Sequence, residues 1–140
     1  MRRFCTEYPK NPPEWYWESG LHDACIIGVD TYEFPFDYNV YSGTKGKYDY
    51  NALILKIDAE GALYDNRVQE IRLYNYKILS DGIDIATLKR ISENKAWWLA
   101  DKLVDKGVGY ELDVMLEICV PHQREYHLKL SFDRAEVYRK

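Results

Sequence analysis

Through most of the chain, apolar and polar side chains alternate, and that alternation predicts β-strands. Its longest run is Tyr110, Leu112, Val114, Leu116, Ile118 and Val120, separated by Glu111, Asp113, Met115, Glu117 and Cys119. After a reversal over residues 121–125, Tyr126, Leu128, Leu130 and Phe132 repeat the pattern, which makes a hairpin. A kink near Asp133-Arg134 shifts the parity so that Ala135 and Val137 continue the apolar side. Upstream, Leu53, Leu55, Ile57 and Ala59 alternate with Lys56 and Asp58, and Val68 to Ser80 reads as a second long strand with Ile71 and Leu73 on one side and Tyr74 and Tyr76 on the other. From Leu21 to Phe36 the sequence is β-branched and aromatic. Tyr32, Phe34, Phe36, Tyr38 and Val40 fall on alternate positions there, with Pro35 marking an edge or a bulge. Ser42 to Lys47, Glu60-Gly61 and Asp81-Gly82 are the turns.

One segment carries a helical period. Ala96, Trp97, Ala100, Leu103 and Val104 fall at i, i+1, i+4, i+7 and i+8 while Glu93, Lys95, Asp101, Lys102 and Asp105 face away. This predicts a helix over about residues 92–106, with Ser92 as N-cap, or Thr87 if it begins earlier, and Gly107 as its stop. Trp97 shares the apolar stripe and is expected in the core, with Trp98 at its boundary. The expected class is therefore α+β, an antiparallel sheet, curved or folded into two layers, with one amphipathic helix inserted between its halves. Pro9, Pro12 and Pro13 make residues 1–20 an extended arm, and its Trp15-Tyr16-Trp17 cluster is apolar enough to pin it onto a single domain spanning residues 21–140.

Composition narrows the function classes. With 140 residues the chain is long enough for one substantial core. Nineteen basic against 23 acidic side chains give a net charge of −4, which does not draw in a phosphate backbone, so no nucleic-acid partner is expected. Residues 21–60 concentrate the excess, with seven acids against three bases. No apolar run reaches the roughly 18 residues of a membrane span. Arg2 and Arg3 lack an apolar stretch behind them, so no signal peptide is expected either. Three cysteines without zinc spacing, Cys5, Cys25 and Cys119, suit a reducing compartment, and the expected location is cytoplasmic.

The chemistry-bearing combinations are sparse. His22-Asp23 has the pair of groups that ligates a divalent ion or moves a proton near neutral pH, yet it opens a strand without the helices and further ligands that metal-dependent phosphohydrolases supply. A structural tie between that strand and the arm is the expected role. His122, Glu125 and His127 flank a hairpin turn, where histidines are ordinarily solvated. Gly43-Thr44-Lys45-Gly46 matches the loop that clamps RNA in KH domains but joins strands instead of helices, and Tyr48 after Lys47 breaks the P-loop pattern. No serine stands in G-x-S-x-G. No catalytic residue, metal or cofactor is therefore expected.

The segment Leu21-His22-Asp23-Ala24-Cys25-Ile26-Ile27, followed by the strands at 51–59 and 68–79, resembles small, mostly uncharacterised bacterial β-rich proteins that open on a short His-Asp-Ala/Ser-x-Ile motif. Some of these resemble immunity proteins of polymorphic-toxin systems. The resemblance covers about 60 residues in the middle of the chain and implies a non-enzymatic cytoplasmic protein that blocks a partner. Independently, the acidic excess and thirteen tyrosines suit capture of a basic protein partner. The expected face combines Asp30, Glu33, Asp37 and Asp49 with Tyr32, Tyr38, Tyr41 and Tyr48. Two alternatives stay open: a domain that stacks sugars or bases on exposed aromatics such as Trp15 and Trp17, and a metal-dependent hydrolase using His22 and Asp23.

Overall fold

The structure is a computed structural model that describes residues 9–18, 20–33, 51–62 and 64–140. Its strands are β1 (Cys25–Glu33), β2 (Asn51–Asp58), β3 (Val68–Tyr74), β4 (Lys77–Ile78), β5 (Ala96–Asp105), β6 (Tyr110–Ile118), β7 (Arg124–Phe132) and β8 (Arg134–Arg139), with the helix α1 (Ile85–Ser92) between β4 and β5. All are hydrogen-bonded into one sheet of order β4-β7-β6-β5-β1-β2-β3-β8, and every adjacent pair is antiparallel. The expected α+β class, a curved antiparallel sheet with a helix, is what the described residues adopt.

Two three-stranded meanders compose this sheet, β1-β2-β3 and β5-β6-β7. They meet along β1 and β5 through only two pairs, Cys25 with Trp97 and Ile26 with Ala96. The second junction is a corner. Asn75 takes a left-handed φ of 56° and turns β3 into β4, while the chain bends at Asp133 between β7 and β8. Tyr74 faces Arg134 and Lys77 faces Ser131, so one register runs across the corner. Asp133 N donates to Tyr74 O at 2.8 Å, and Asn75 Nδ2 to Asp133 Oδ2 at 2.8 Å. The sheet is thereby curled until its two margins share the same pair of chain segments, around a core that includes Leu53, Leu55, Ile71, Leu73, Leu112, Leu116, Leu128 and Leu130.

The helix is not where the periodicity placed it. Residues 96–105 are strand β5, and the helix precedes them at Ile85–Ser92. A β-bulge between Trp98 and Ala100 explains the misreading. It adds one residue to the strand, so the inward positions run Ala96, Trp98, Asp101, Leu103; Asp101, expected to face away, points inward, and the period-2 alternation that marks a strand is broken. Trp98 is accordingly the fully buried indole, while Trp97 is half-buried, the reverse of the expectation. The actual helix has eight residues, too few for a period to stand out. Asp84 caps it by accepting from Thr87 N at 2.8 Å, and Leu88 and Ile91 bury its inner side against β1. A similar bulge between Ile26 and Gly28 brings Ile26 and Val29 inward and leaves Ile27 exposed.

The arm adds aromatic mass to the same core. Tyr16 and Trp17 are buried, and half-buried Trp15 meets Tyr110 and Phe132 edge-on at 5.4 and 5.9 Å. Trp17 stands perpendicular to Trp98 at 5.3 Å. Between them lies Asp101, 1 % exposed, which accepts from Tyr16 Oη through Oδ2 and from Trp98 Nε1 at 3.0 Å through Oδ1. Burial pushes the Asp101 carboxyl up to about 6, against the pull of the Tyr16 and Trp98 donors. Gly20 ends this stretch under close approach, since a Cβ there would lie 2.8 Å from both Asp65 Cβ and Trp17 O. Its carbonyl accepts from Tyr64 N and Asp65 N, and Asp65 in turn holds Arg139 of β8 at 2.7 Å.

Candidate functional site

Strand parity decides which side chains can act together. On β1, Val29 points inward, so Asp30 and Tyr32 project from the outer face while Thr31 and Glu33 follow Val29. The register sets Tyr32 beside Ala52, Ala52 beside Tyr74 and Tyr74 beside Arg134. The next row is Asp30, Ile54, Arg72 and Glu136, and a third holds Gly28, Lys56, Glu70 and Tyr138. The outer face of β1-β2-β3-β8 is thus a grid of tyrosines and charged groups on a hydrogen-bonded sheet.

These groups are locked to one another. Glu70 bridges Lys56 and Arg72. Burial alone would raise the Glu70 carboxyl, but the hydrogen bonds from Lys56 and Arg72 outweigh it and hold the group below the usual carboxylate range. Glu136 accepts from Tyr74 Oη and, at 3.0 Å, from Tyr138 Oη, and these bonds likewise depress its carboxyl. The Arg134 guanidinium lies 3.9 Å from the centre of the Tyr74 ring, and Arg72 lies 4.9 Å from that of Tyr138. Tyr32, 52 % exposed, and exposed Asp30 stand at the margin of this network, and Asp30 makes no ion pair among the described residues.

Glu33 belongs to a different feature. It lies opposite Asn51, whose side-chain oxygen accepts from Tyr76 N at 2.9 Å. Burial and then the charge of Glu33 raise the Tyr76 phenol. Tyr76, Ile78, Ser80, Asp81, Ile83 and Asp84 line an open cleft of about 560 Å³ there, at the start of α1. The Asp84 carboxylate occupies the helix N-terminus and is held below its ordinary range by the Thr87 N–H, so this end of the cleft does not suit an anion.

Of the eight residues expected at the binding face, the structure therefore places three, all exposed, and divides them: Asp30 and Tyr32 on the outer grid, Glu33 by the cleft. Asp37, Tyr38, Tyr41, Tyr48 and Asp49, together with the Gly43–Gly46 loop and Pro35, lie outside the described residues. The grid residues Arg72, Tyr74, Arg134, Glu136 and Tyr138 were missed from sequence. Their signal was the non-core parity of β3 and β8, which becomes a surface only once those distant strands are paired.

The other candidates are also placed. His22 Nδ1 contacts Leu99 O at 2.6 Å, and Asp23, at φ 72°, donates its N–H to Trp98 O at 2.9 Å. The pair ties the turn before β1 to β5, rather than to the arm. His22 Nε2 is 3.7 Å from Asp23 Oδ1, with both side chains about half exposed. His127 Nε2 lies 3.3 Å from Asp113 Oδ1 across β6 and β7, and His122 is exposed in the turn. Among the described residues no group of three His, Cys, Asp or Glu side chains could hold a metal ion. Among the described residues no helix is long and apolar enough to cross a membrane. Comparison of the chain with known protein families, curated proteins and solved structures gives no match.

Proposed function

We propose that the protein acts by binding another protein through the outer face of β1-β2-β3-β8. The observation that carries this reading is the pair of exposed tyrosines, Tyr32 and Tyr138, set with Arg72 and Arg134 on a hydrogen-bonded sheet, with Tyr74 buried beneath the Arg134 guanidinium as its support. Tyrosine and arginine supply most contact energy in protein interfaces because each combines a large flat surface with directional donors. A grid already held by its own hydrogen bonds also loses little side-chain entropy on docking. Asp30 at its margin and Glu33 by the cleft favour a partner with basic groups along that border, through electrostatic steering. In this reading the protein is not an enzyme, and toxin neutralisation of the immunity type, which the His22-Asp23 segment suggests by resemblance, is the form the binding takes.

A photo-crosslinking side chain at position 32 or 138 tests the proposal in lysate of the source organism, with the same group at Val108, 90 % exposed, as the control. One discrete partner is expected at 32 and 138 and none at 108. Asp30→Lys/Glu33→Lys should slow its capture, and more strongly at low salt, where screening is weakest. Equal crosslinking from all three positions, or a charge-reversed variant that captures as fast as wild type, overturns the reading.

A further inference from the structure

Asp101 is the one carboxylate among the fully buried side chains of the described residues, and part of what covers it is the arm. One of its oxygens is held by Trp98 of its own strand, the other by Tyr16, with buried Trp17 alongside. We propose that the arm is a proton-sensitive strap, whose docking over β5 is strengthened when Asp101 is protonated and loosened when Asp101 is ionised. An ionised carboxylate is favoured by water, and lifting Tyr16 and Trp17 is what would return water to it. The docked state therefore prefers the neutral acid and the lifted state the anion, and linkage makes protonation favour docking. Burial holding the docked carboxyl near 6 agrees with that direction.

The surroundings identify what else could respond to pH. From the arm, Tyr16 and Trp17 face Asp101; on β5 its neighbours are Trp98 and Lys102. From β6, Val114 lies opposite it and Asp113 opposite Lys102. The turn before β1 brings His22 and Asp23 against the backbone of Leu99 and Trp98. His22 is the group to separate from Asp101. Glu18, at a left-handed φ of 55°, and the close-packed Gly20 bound the arm on its C-terminal side.

Hydrogen exchange followed by mass spectrometry on the full chain, from pH 4.5 to 7.5 and corrected for intrinsic rates, reads arm opening over residues 14–18 against β6 over residues 112–116. In wild type and in His22→Gln, arm opening is expected to rise with pH by tens of fold, as a shift of about two pKa units allows over this range, and to exceed β6 opening at every pH. Asp101→Asn should give a flat arm profile. Tyr16→Phe removes a donor to the carboxylate and should move the midpoint to higher pH. The proposal is overturned if the arm opens no more readily than β6, if Asp101→Asn keeps the wild-type profile, if His22→Gln alone abolishes it, or if Tyr16→Phe leaves the midpoint in place.

Discussion

Replacing the two adjacent tryptophans of β5 one at a time discriminates between strand and helix at residues 96–105. In the strand, Trp98 is 1 % exposed, packs perpendicular to Trp17 at 5.3 Å and donates to a buried carboxylate at 3.0 Å. Truncating a buried tryptophan to alanine costs about 3 to 5 kcal/mol. Withdrawing a donor from a charged acceptor adds about 1.5 to 3 kcal/mol, part of which is already contained in that range. We therefore expect Trp98→Ala to cost about 4 to 6 kcal/mol, and Trp97→Ala, at a half-buried position, about 1 to 2 kcal/mol. A domain of this size has about 5 to 15 kcal/mol in total, so Trp98→Ala verges on unfolding. Trp98→Phe provides a milder reading: it keeps most of the ring, loses the N–H, and should cost about 2 kcal/mol. Urea unfolding at pH 7, followed by far-ultraviolet circular dichroism, measures all three. A Trp97→Ala loss equal to or larger than that of Trp98→Ala, or a Trp98→Phe variant as stable as wild type, would refute the strand geometry and the role given to the Trp98–Asp101 bond.

Other outcomes follow from single contacts. Gly109 has φ 118° and a Cβ there would sit 2.7 Å from Phe132 O, whereas Gly107, at φ 84°, has nothing within 4 Å; Gly109→Ala should cost about 3 kcal/mol and Gly107→Ala about 1 kcal/mol, by thermal unfolding. Asp101 takes up a proton near 6 in the folded protein and near 4 when unfolded, so its contribution is fully favourable below about pH 4 and is lost as pH rises through 6. Wild type should lose about 3 kcal/mol relative to Asp101→Asn across that window, and a constant difference between the two in urea titrations would contradict this. Buried Cys25, its thiol pushed up to about 11 chiefly by burial, should label with a maleimide far more slowly than exposed Cys119 at pH 7.5, as peptide mapping would read.

Period-2 alternation located β2, β6, β7 and β8 because each keeps one parity along its length, and β3 from Glu70 onward, beyond its shift at Val68. It failed where parity breaks. The bulge at Trp98 removed the alternation that would have marked β5 as a strand, and Asn75 divides a run that reads as a single strand to Ser80. The real helix offers only Ile85, Leu88 and Ile91 as an apolar side, and its clearest sign, Asp84 three residues before Thr87, depends on capping geometry. For the candidate site, Asp30, Tyr32 and Glu33 were legible as exposed ends of an alternating strand. That Asp30 shares a row with Arg72 and Glu136 depends on pairing among segments some 40 to 100 residues apart, which local pattern does not encode.

The corner that joins β3 to β8 also dictates a schedule during synthesis. The β1-β2-β3 meander emerges from the ribosome well before β8, and at roughly 5 to 20 residues per second the outer edge of β3 waits several seconds for its partner. An unpaired edge reading Val-Gln-Glu-Ile-Arg-Leu-Tyr is a template for pairing with another nascent chain. Glu70 and Arg72 interrupt its hydrophobic run during that interval, since a second copy that added parallel and in register would set like charges opposite one another. The two residues that later anchor the surface grid thus act first as gatekeepers, and neutralising both should lower soluble yield in translation far more than it lowers the stability of the finished fold.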